Sequence, residues 1–224
     1  MDKLEYSIDN DKYKAPKGKN TRQRVLITNM ESATNCTGKK LGTCQLKQGV
    51  KCYAECAEVQ YPKCLSYRER QAKQWETHNS AWYHDQIKGI QGRAHKKITH
   101  HRLNEAGEMK DLGCVLKACN LAKDNEKLGI KTFTYTSRQD LWEKYKTAIT
   151  HSTGIVINGS GFMAHNEYRV VPQDYVAQKG EYWCPDKCYN CRMCKERLGV
   201  VILSKARHVK KSKTEHHIMR KQFV

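Results

Sequence analysis

Apolar residues fall into short runs along this chain, separated by polar turns, and the spacing alternates between strand-like and helix-like. Arg24–Met30 (RVLITNM) is rich in β-branched and apolar residues and predicts a short buried strand. From Glu31 to Lys63 there is little periodicity, and Gly42 and Gly49 mark a cysteine-rich loop. Pro62 precedes a helical stretch over about Cys64–Thr99, with Tyr67, Trp75, Trp82 and Ile90 among its apolar positions and a break expected near Gly89 and Gly92. His100–Leu103 reads as a polar strand, followed by a turn at Glu105-Ala106-Gly107-Glu108. A helix follows over about Lys110–Lys127, with Leu112, Val115, Leu116, Cys119 and Ala122 on one face and Leu128-Gly129 closing it. Lys131–Thr136 then predicts a strand, Gln139–Ile149 a helix, and Gly154–Asn158, Tyr168–Val171 and Val200–Leu203 further strands. No internal repeat is present. The alternation predicts an α/β fold with parallel strands, and the expected form is a partial or irregular (β/α) barrel-like domain rather than a doubly wound sheet, a choice that periodicity does not decide.

The 224 residues are enough for one substantial core, and the 38% hydrophobic fraction fits a folded chain. The expected organisation is a polar basic segment at 1–23, a single α/β domain at 24–204 and a basic tail at 205–224. No apolar run approaches the roughly 18 residues of a membrane span, and no apolar segment follows the first residues. The expected location is therefore the cytoplasm, where the 11 cysteines would be ligands or reactive thiols rather than disulfides. A net charge of +18, with seven Lys and Arg in the tail, makes nucleic acid or another polyanion a candidate partner, through basic tails that are otherwise solvated ends.

The strongest local signal is Cys184-Pro-Asp-Lys-Cys188-Tyr-Asn-Cys191-Arg-Met-Cys194. Four thiols at such short spacing can turn inward around one centre, and thiolates suit iron–sulfur clusters and zinc alike. Zinc knuckles are usually separated by a longer stretch, whereas the run of two-residue gaps from Cys188 to Cys194 repeats the tight pattern of ferredoxin-type cluster loops. This favours an iron–sulfur cluster, with [4Fe–4S] the type the spacing predicts and zinc as the alternative. Cys184-x3-Cys188-x2-Cys191 also has the radical S-adenosylmethionine spacing, but Cys194 would fill the open iron position and too little chain follows for the usual barrel.

Cys36, Cys44, Cys52, Cys56 and Cys64 form a second, looser group, in which Cys52 and Cys56 would lie one helical turn apart. A second metal site there stands beside the reading of buried, inert thiols. Cys44, Lys51-Cys52-Tyr53-Ala54, Tyr61-Pro62 and Arg68 together resemble the opening of the phage Gene product 88 family. Arg102-Leu-Asn-Glu-Ala-Gly-Glu108 is similar to that family's Arg-x-x-(Asp)-Ser-Gly-Asp stretch, and Lys131–Arg138 to its Phe-Tyr-x-Tyr-Thr-(Lys/Arg) strand. The likeness runs from about Asn35 to Cys194 with the motifs in order. The chain departs from it at Asn104-Glu105-Ala106, where the family has His-Asp-Ser, and in carrying Cys56 and Cys64. The resemblance implies a phage-encoded protein, hence the cytoplasm of a host cell, and a radical-SAM-like iron–sulfur protein of unsettled activity or a relic of such an enzyme. It also implies a cluster-binding loop after the first strand at the top of a barrel. Val59 stands where the standard motif would need a third cysteine after Cys52 and Cys56.

Strand ends in parallel α/β folds gather ligand-binding groups. Arg102, Asn104, Glu105, Glu108, Arg138 and Asn158 all fall at predicted strand ends and are candidates to line a pocket for a small molecule or for S-adenosylmethionine. The plain alternative for Glu105 and Glu108 is a solvated turn near a helix start. Ser160 lacks a nucleophile-elbow pattern, and there is no phosphate loop or GxGxxG. The pairs His100-His101 and His216-His217 do not offer an obvious joint metal site. The expected function is thus iron–sulfur cluster binding, with a zinc-stabilised basic nucleic-acid-binding protein as the alternative.

Overall fold

The structure is a computed structural model that describes residues 2–9, 13, 14, 17, 23–44, 52–151 and 154–205. Positions 206–224, which hold most of the expected basic tail and His216-His217, lie outside the described residues. One eight-stranded sheet organises the chain, in the order β1-β2-β3-β4-β5-β6-β8-β7. Its strands are β1 (Ser7–Ile8), β2 (Val25–Thr28), β3 (His100–Leu103), β4 (Lys131–Thr136), β5 (Ile155–Ser160), β6 (Asn166–Val171), β7 (Glu181–Trp183) and β8 (Val201–Lys205). Among the described residues, only the β1–β2 pairing is antiparallel.

From β2 to β6 the spatial order follows the chain order, so successive crossovers step in one direction. Right-handed crossovers then place the intervening helices on the same face. A doubly wound sheet would instead reverse its order at a switch point. The β2–β3 connection carries α1 (Thr37–Lys40), α2 (Tyr53–Gln60), α3 (Pro62–Thr77) and α4 (Ser80–Arg93). The next two connections carry α5 (Leu112–Lys127) and α6 (Gln139–His151). Leu26, Leu103, Ile155 and Ile157 face these helices and pack with Trp75, Ile87, Val115, Leu121 and Trp142 in the main core. Burying such side chains contributes roughly 1.5–3 kcal/mol each, so this outer layer supplies most of the apolar stabilisation. No described helix is long and apolar enough to cross a membrane.

The opposite, inner face has a smaller apolar cluster of Tyr13, Val25, Ile27, Phe133 and Val156. The two faces follow from strand alternation. In β3, His101 and Leu103 turn toward the helices, whereas His100 and Arg102 turn inward toward Phe133 and Tyr13. His101 is fully buried, and burial pushes its pKa down to about 3. Its Nδ1 accepts from Asn125 Nδ2 at 3.1 Å, leaving Nε2–H to donate to Thr28 Oγ1 at 2.9 Å. The neutral ring thereby ties β2 and β3 to α5.

Several boundaries differ from the sequence expectation. The helix expected over Cys64–Thr99 is two helices, and the break lies at His78-Asn79, where the Asn79 side chain accepts from Trp82 N and caps α4. Gly89 and Gly92 are inside α4, which ends at Arg93, one residue beyond Gly92 and close to the expected break. The aperiodic stretch Glu31–Lys63 contains α1 and α2. Leu116 is exposed, while Ala118 and Leu121 take the buried face of α5. Part of the 1–23 segment joins the fold: β1 pairs with β2, Leu4 and Tyr13 are buried, and Gln74 Nε2 donates to Lys3 O at 2.6 Å. The chain passes from β5 to β6 without a helix; residues 161–165 bring it back so that Asn166 lies beside Asn158.

Candidate metal centre

The loop carrying Cys184, Cys188, Cys191 and Cys194 connects β7 to β8 and is anchored to the inner face of the sheet. Asn158 and Asn166 are register partners on neighbouring strands and both are fully buried. Asn158 Nδ2 donates to Thr134 O at 3.0 Å and to Cys194 O at 2.9 Å. Asn166 Nδ2 donates to Asn158 Oδ1 at 3.0 Å, Met193 O at 3.2 Å and Glu196 O at 2.8 Å, while its Oδ1 accepts from Leu198 N at 2.9 Å. Strand side chains therefore satisfy the backbone of a loop that has no ladder of its own. The end of the loop forms a short 3₁₀ turn, Met193–Lys195.

Lys195 completes the seat. It is only 4% exposed, and its Nζ donates to Cys188 O at 2.7 Å, to Cys191 O at 3.0 Å and to Gln23 Oε1. Burial pulls its pKa down, and the thiols of Cys188, Cys191 and Cys194 act in the opposite direction. Burial also pushes the Cys194 thiol up to about 12, helped by the neighbouring Cys184, Cys188 and Cys191 and opposed by a hydrogen bond with Tyr135. Cys184, Cys188 and Cys191 thus each lie within electrostatic reach of Cys194. Tyr13, whose pKa burial raises to about 12, also feels Cys188 and Cys194. Tyr168 is raised further, chiefly by burial, with Cys184, Cys194 and Tyr53 adding to the rise.

The donor set is soft and anionic once deprotonated, and the nearest buried cation is an ammonium already held against the same loop. That chemistry fits a thiolate-bound iron–sulfur cluster or zinc ion. Among the described residues, no three His, Cys, Asp or Glu side chains close around one position as ligands of a single metal ion. On its outer side the loop borders an open groove of about 510 Å³ lined by Pro185, Lys187, Tyr189, Cys191, Arg192 and Met193.

The N-terminal cysteines are placed by helices instead. Cys36 and Cys52 immediately precede α1 and α2, and both thiols act on the Lys39 ammonium. Cys56 lies one turn into α2, its N–H donating to Cys52 O at 2.9 Å. Cys44 N donates to Gly38 O at 3.1 Å, just after α1. Burial pushes the Cys36 thiol up to about 11. Residues 45–51, between Cys44 and Cys52, lie outside the described residues.

The expected rim residues separate into two kinds. Glu108 is buried beneath the rim: Oε1 accepts from Thr136 Oγ1 at 2.6 Å and Met109 N at 2.8 Å, and Oε2 from Ser137 N at 2.6 Å and Ser137 Oγ at 2.9 Å. Arg138 is likewise bound internally, to Asp140 through Nε and Nη2 and to Met109 O and Lys110 O through Nη1. Asn158 is the loop anchor described above. Glu105 remains partly open, with Arg68 Nη2 at 4.0 Å and Arg102 Nη1 at 3.9 Å. Arg102 lies over the Tyr135 ring at 5.1 Å, and its Nη1 donates to Tyr13 Oη at 3.4 Å. Asn104 has φ 60°, and its Oδ1 accepts from Met30 N at 2.9 Å. Gly107, at φ +78°, allows the intervening turn to pass Glu31, whose carbonyl oxygen would be 2.6 Å from any Cβ there.

Sequence reasoning missed Asn166 and the tyrosines Tyr13, Tyr135 and Tyr168, whereas Lys195, beside Cys194, is readable with Lys187 and Arg192 as charge that would offset a four-thiolate site. The alternation of β4 was the available signal for Tyr135; Asn166 carried none, because most of its partners are backbone atoms far along the chain. Comparison of the chain with protein-family models, with curated proteins and with solved structures gives no match.

Proposed function

We propose that this chain is an iron–sulfur protein in which Cys184, Cys188, Cys191 and Cys194 hold a [4Fe–4S] cluster on the inner face of a partial (β/α) barrel. The observation that carries this reading is the seat of the loop. Cys184, Cys188 and Cys191 all act electrostatically on Cys194, while Asn158, Asn166 and the buried Lys195 hold the loop's carbonyls. Backbone held by other side chains leaves the thiols available as ligands, and the Lys195 charge offsets part of a four-thiolate centre. The cluster would supply electron transfer or Lewis-acid chemistry; Asn158, Asn166 and Lys195 would fix the course of the loop that carries the ligands. The rim above it makes a radical-SAM-like enzyme, or a relic of one, the nearest enzymatic reading.

Purification without oxygen, with an absorption spectrum and iron, sulfide and zinc analysis, tests this. Brown protein with about four irons and four sulfides per chain is expected, and both should be lost in Cys188→Ala/Cys191→Ala. Twice that content would bring in Cys36, Cys44, Cys52 and Cys56 as a second site. Colourless protein with stoichiometric zinc would overturn the reading. It would favour the second one, a zinc-stabilised nucleic-acid-binding protein, which the net charge of +18 supports and which predicts affinity falling steeply with salt.

A further inference from the structure

We propose that Arg102 is the receptor for a small anionic ligand, bound through a carboxylate or phosphate group on the inner sheet face between the two cysteine groups. Three arginines with nearly inaccessible side chains can be compared. Arg68, 6% exposed, donates from Nη1 to Ala54 O at 2.8 Å and Glu58 Oε1 at 3.0 Å. Arg138, also 6% exposed, makes close bonds from Nε, Nη1 and Nη2. Both are locked into the scaffold. Arg102, 11% exposed, is held less tightly: it bonds the hydroxyls of Tyr13, at 3.4 Å, and Tyr53, its nearest carboxylate oxygen on Glu105 is 3.9 Å away, and its buried Nε has no partner among the described residues.

A buried guanidinium whose Nε lacks an acceptor is costly, and a carboxylate or phosphate oxygen is the charged acceptor that would suit it best. Two residues on, the buried Asn104 Nδ2 is a second donor without a partner. The surroundings favour a small molecule. Tyr135 lies under the guanidinium, Tyr53 stands at the open side with its ring largely exposed, and its hydroxyl donates to Glu105 O at 2.8 Å. Through Tyr13 and Tyr135 the same position reaches toward Cys194. An anion held by Arg102 would therefore sit beside the cysteine loop, but its binding does not depend on which metal that loop holds.

The test uses full-length ¹⁵N-labelled protein in its isolated metal state, with metal content measured in every sample. Succinate and inorganic phosphate are titrated separately while the arginine Nε–Hε resonances are followed. One resonance, missing in Arg102→Lys, should shift saturably with one of the two anions, which identifies the ligand class. Arg102→Gln should weaken that binding roughly tenfold to a hundredfold, and Arg93→Gln, an exposed control at the end of α4, should leave it unchanged. Absence of a saturable shift with both anions in the unaltered protein, or equal affinity in Arg102→Gln, would overturn the proposal. Neither result depends on whether iron or zinc is found.

Discussion

The two cysteine groups use opposite strategies. At 184–194 the thiols sit on an irregular loop whose carbonyls are held from below by Asn158, Asn166 and Lys195. At 36–64, Cys36, Cys52, Cys56 and Cys64 sit at or near the first turns of α1, α2 and α3 and Cys44 follows α1, and the framework around them is held by carboxylates. Glu31 accepts from Thr37 N and Oγ1, and Glu58 accepts from Ala33 N, Thr34 N and Arg68. In the first case the backbone is shaped for the sulfurs; in the second the sulfurs take the places that helix starts give them. High local cysteine density and polar anchoring therefore mark the stronger candidate ligand set, and cysteine number alone does not.

The sharpest way to separate these regions is to break the N-terminal framework. Arg68→Met leaves the Glu58 carboxylate buried without its cation, and should cost about 3–5 kcal/mol in urea unfolding while the metal content is retained. Loss of metal in a still-folded variant would show that the regions are one unit. Asn166→Ala attacks the other framework. It strips donors from Met193 O and Glu196 O and an acceptor from Leu198 N, with an expected cost of about 1–3 kcal/mol. Metal should then pass faster to a chelator at unchanged initial stoichiometry; unchanged transfer would show that the anchor does not serve the site.

Acid gives a smaller, graded effect. Burial lowers His100 to about 4, His101 to about 3 and His165 to about 4, so the fold keeps these rings neutral where an unfolded chain, with histidines near 6.5, takes up protons. Stability should be level in this respect above about pH 7 and fall as pH drops from about 6.5 toward 4. Urea midpoints across that window check the slope, and His101→Gln should flatten it. The least change is expected from Cys52→Ala/Cys56→Ala, which should leave a full C-terminal complement of metal; a fall by half would reveal a second centre.

Much of the scaffold was legible because parallel strands announce themselves by local composition. His100–Leu103 and Lys131–Thr136 agree in full with the observed strands, and α5 and α6 lie within two residues of expectation at each end. The division of α3 from α4 was missed because continuous helical periodicity was weighted above a local cap, although Asn79-Ser80 carries the side chain that caps α4. The cysteine-rich loop was legible from spacing. Its seat was not, since it depends on bringing Asn158 and Asn166 into register and on carbonyls that have no residue code. Glu108 and Arg138 show the reverse failure: charge at a strand end signalled a ligand site, yet burial turned both inward to hold neighbouring chain.

The position of β8 sets an order of events during synthesis. It is the last strand among the described residues, yet it lies between β6 and β7, both made earlier. The ribosome must therefore release nearly the whole described chain before those neighbours can be joined and the cysteine loop closed between β7 and β8. Until then the four thiols belong to an unfinished edge, so any centre they hold would be completed only after β8 has emerged.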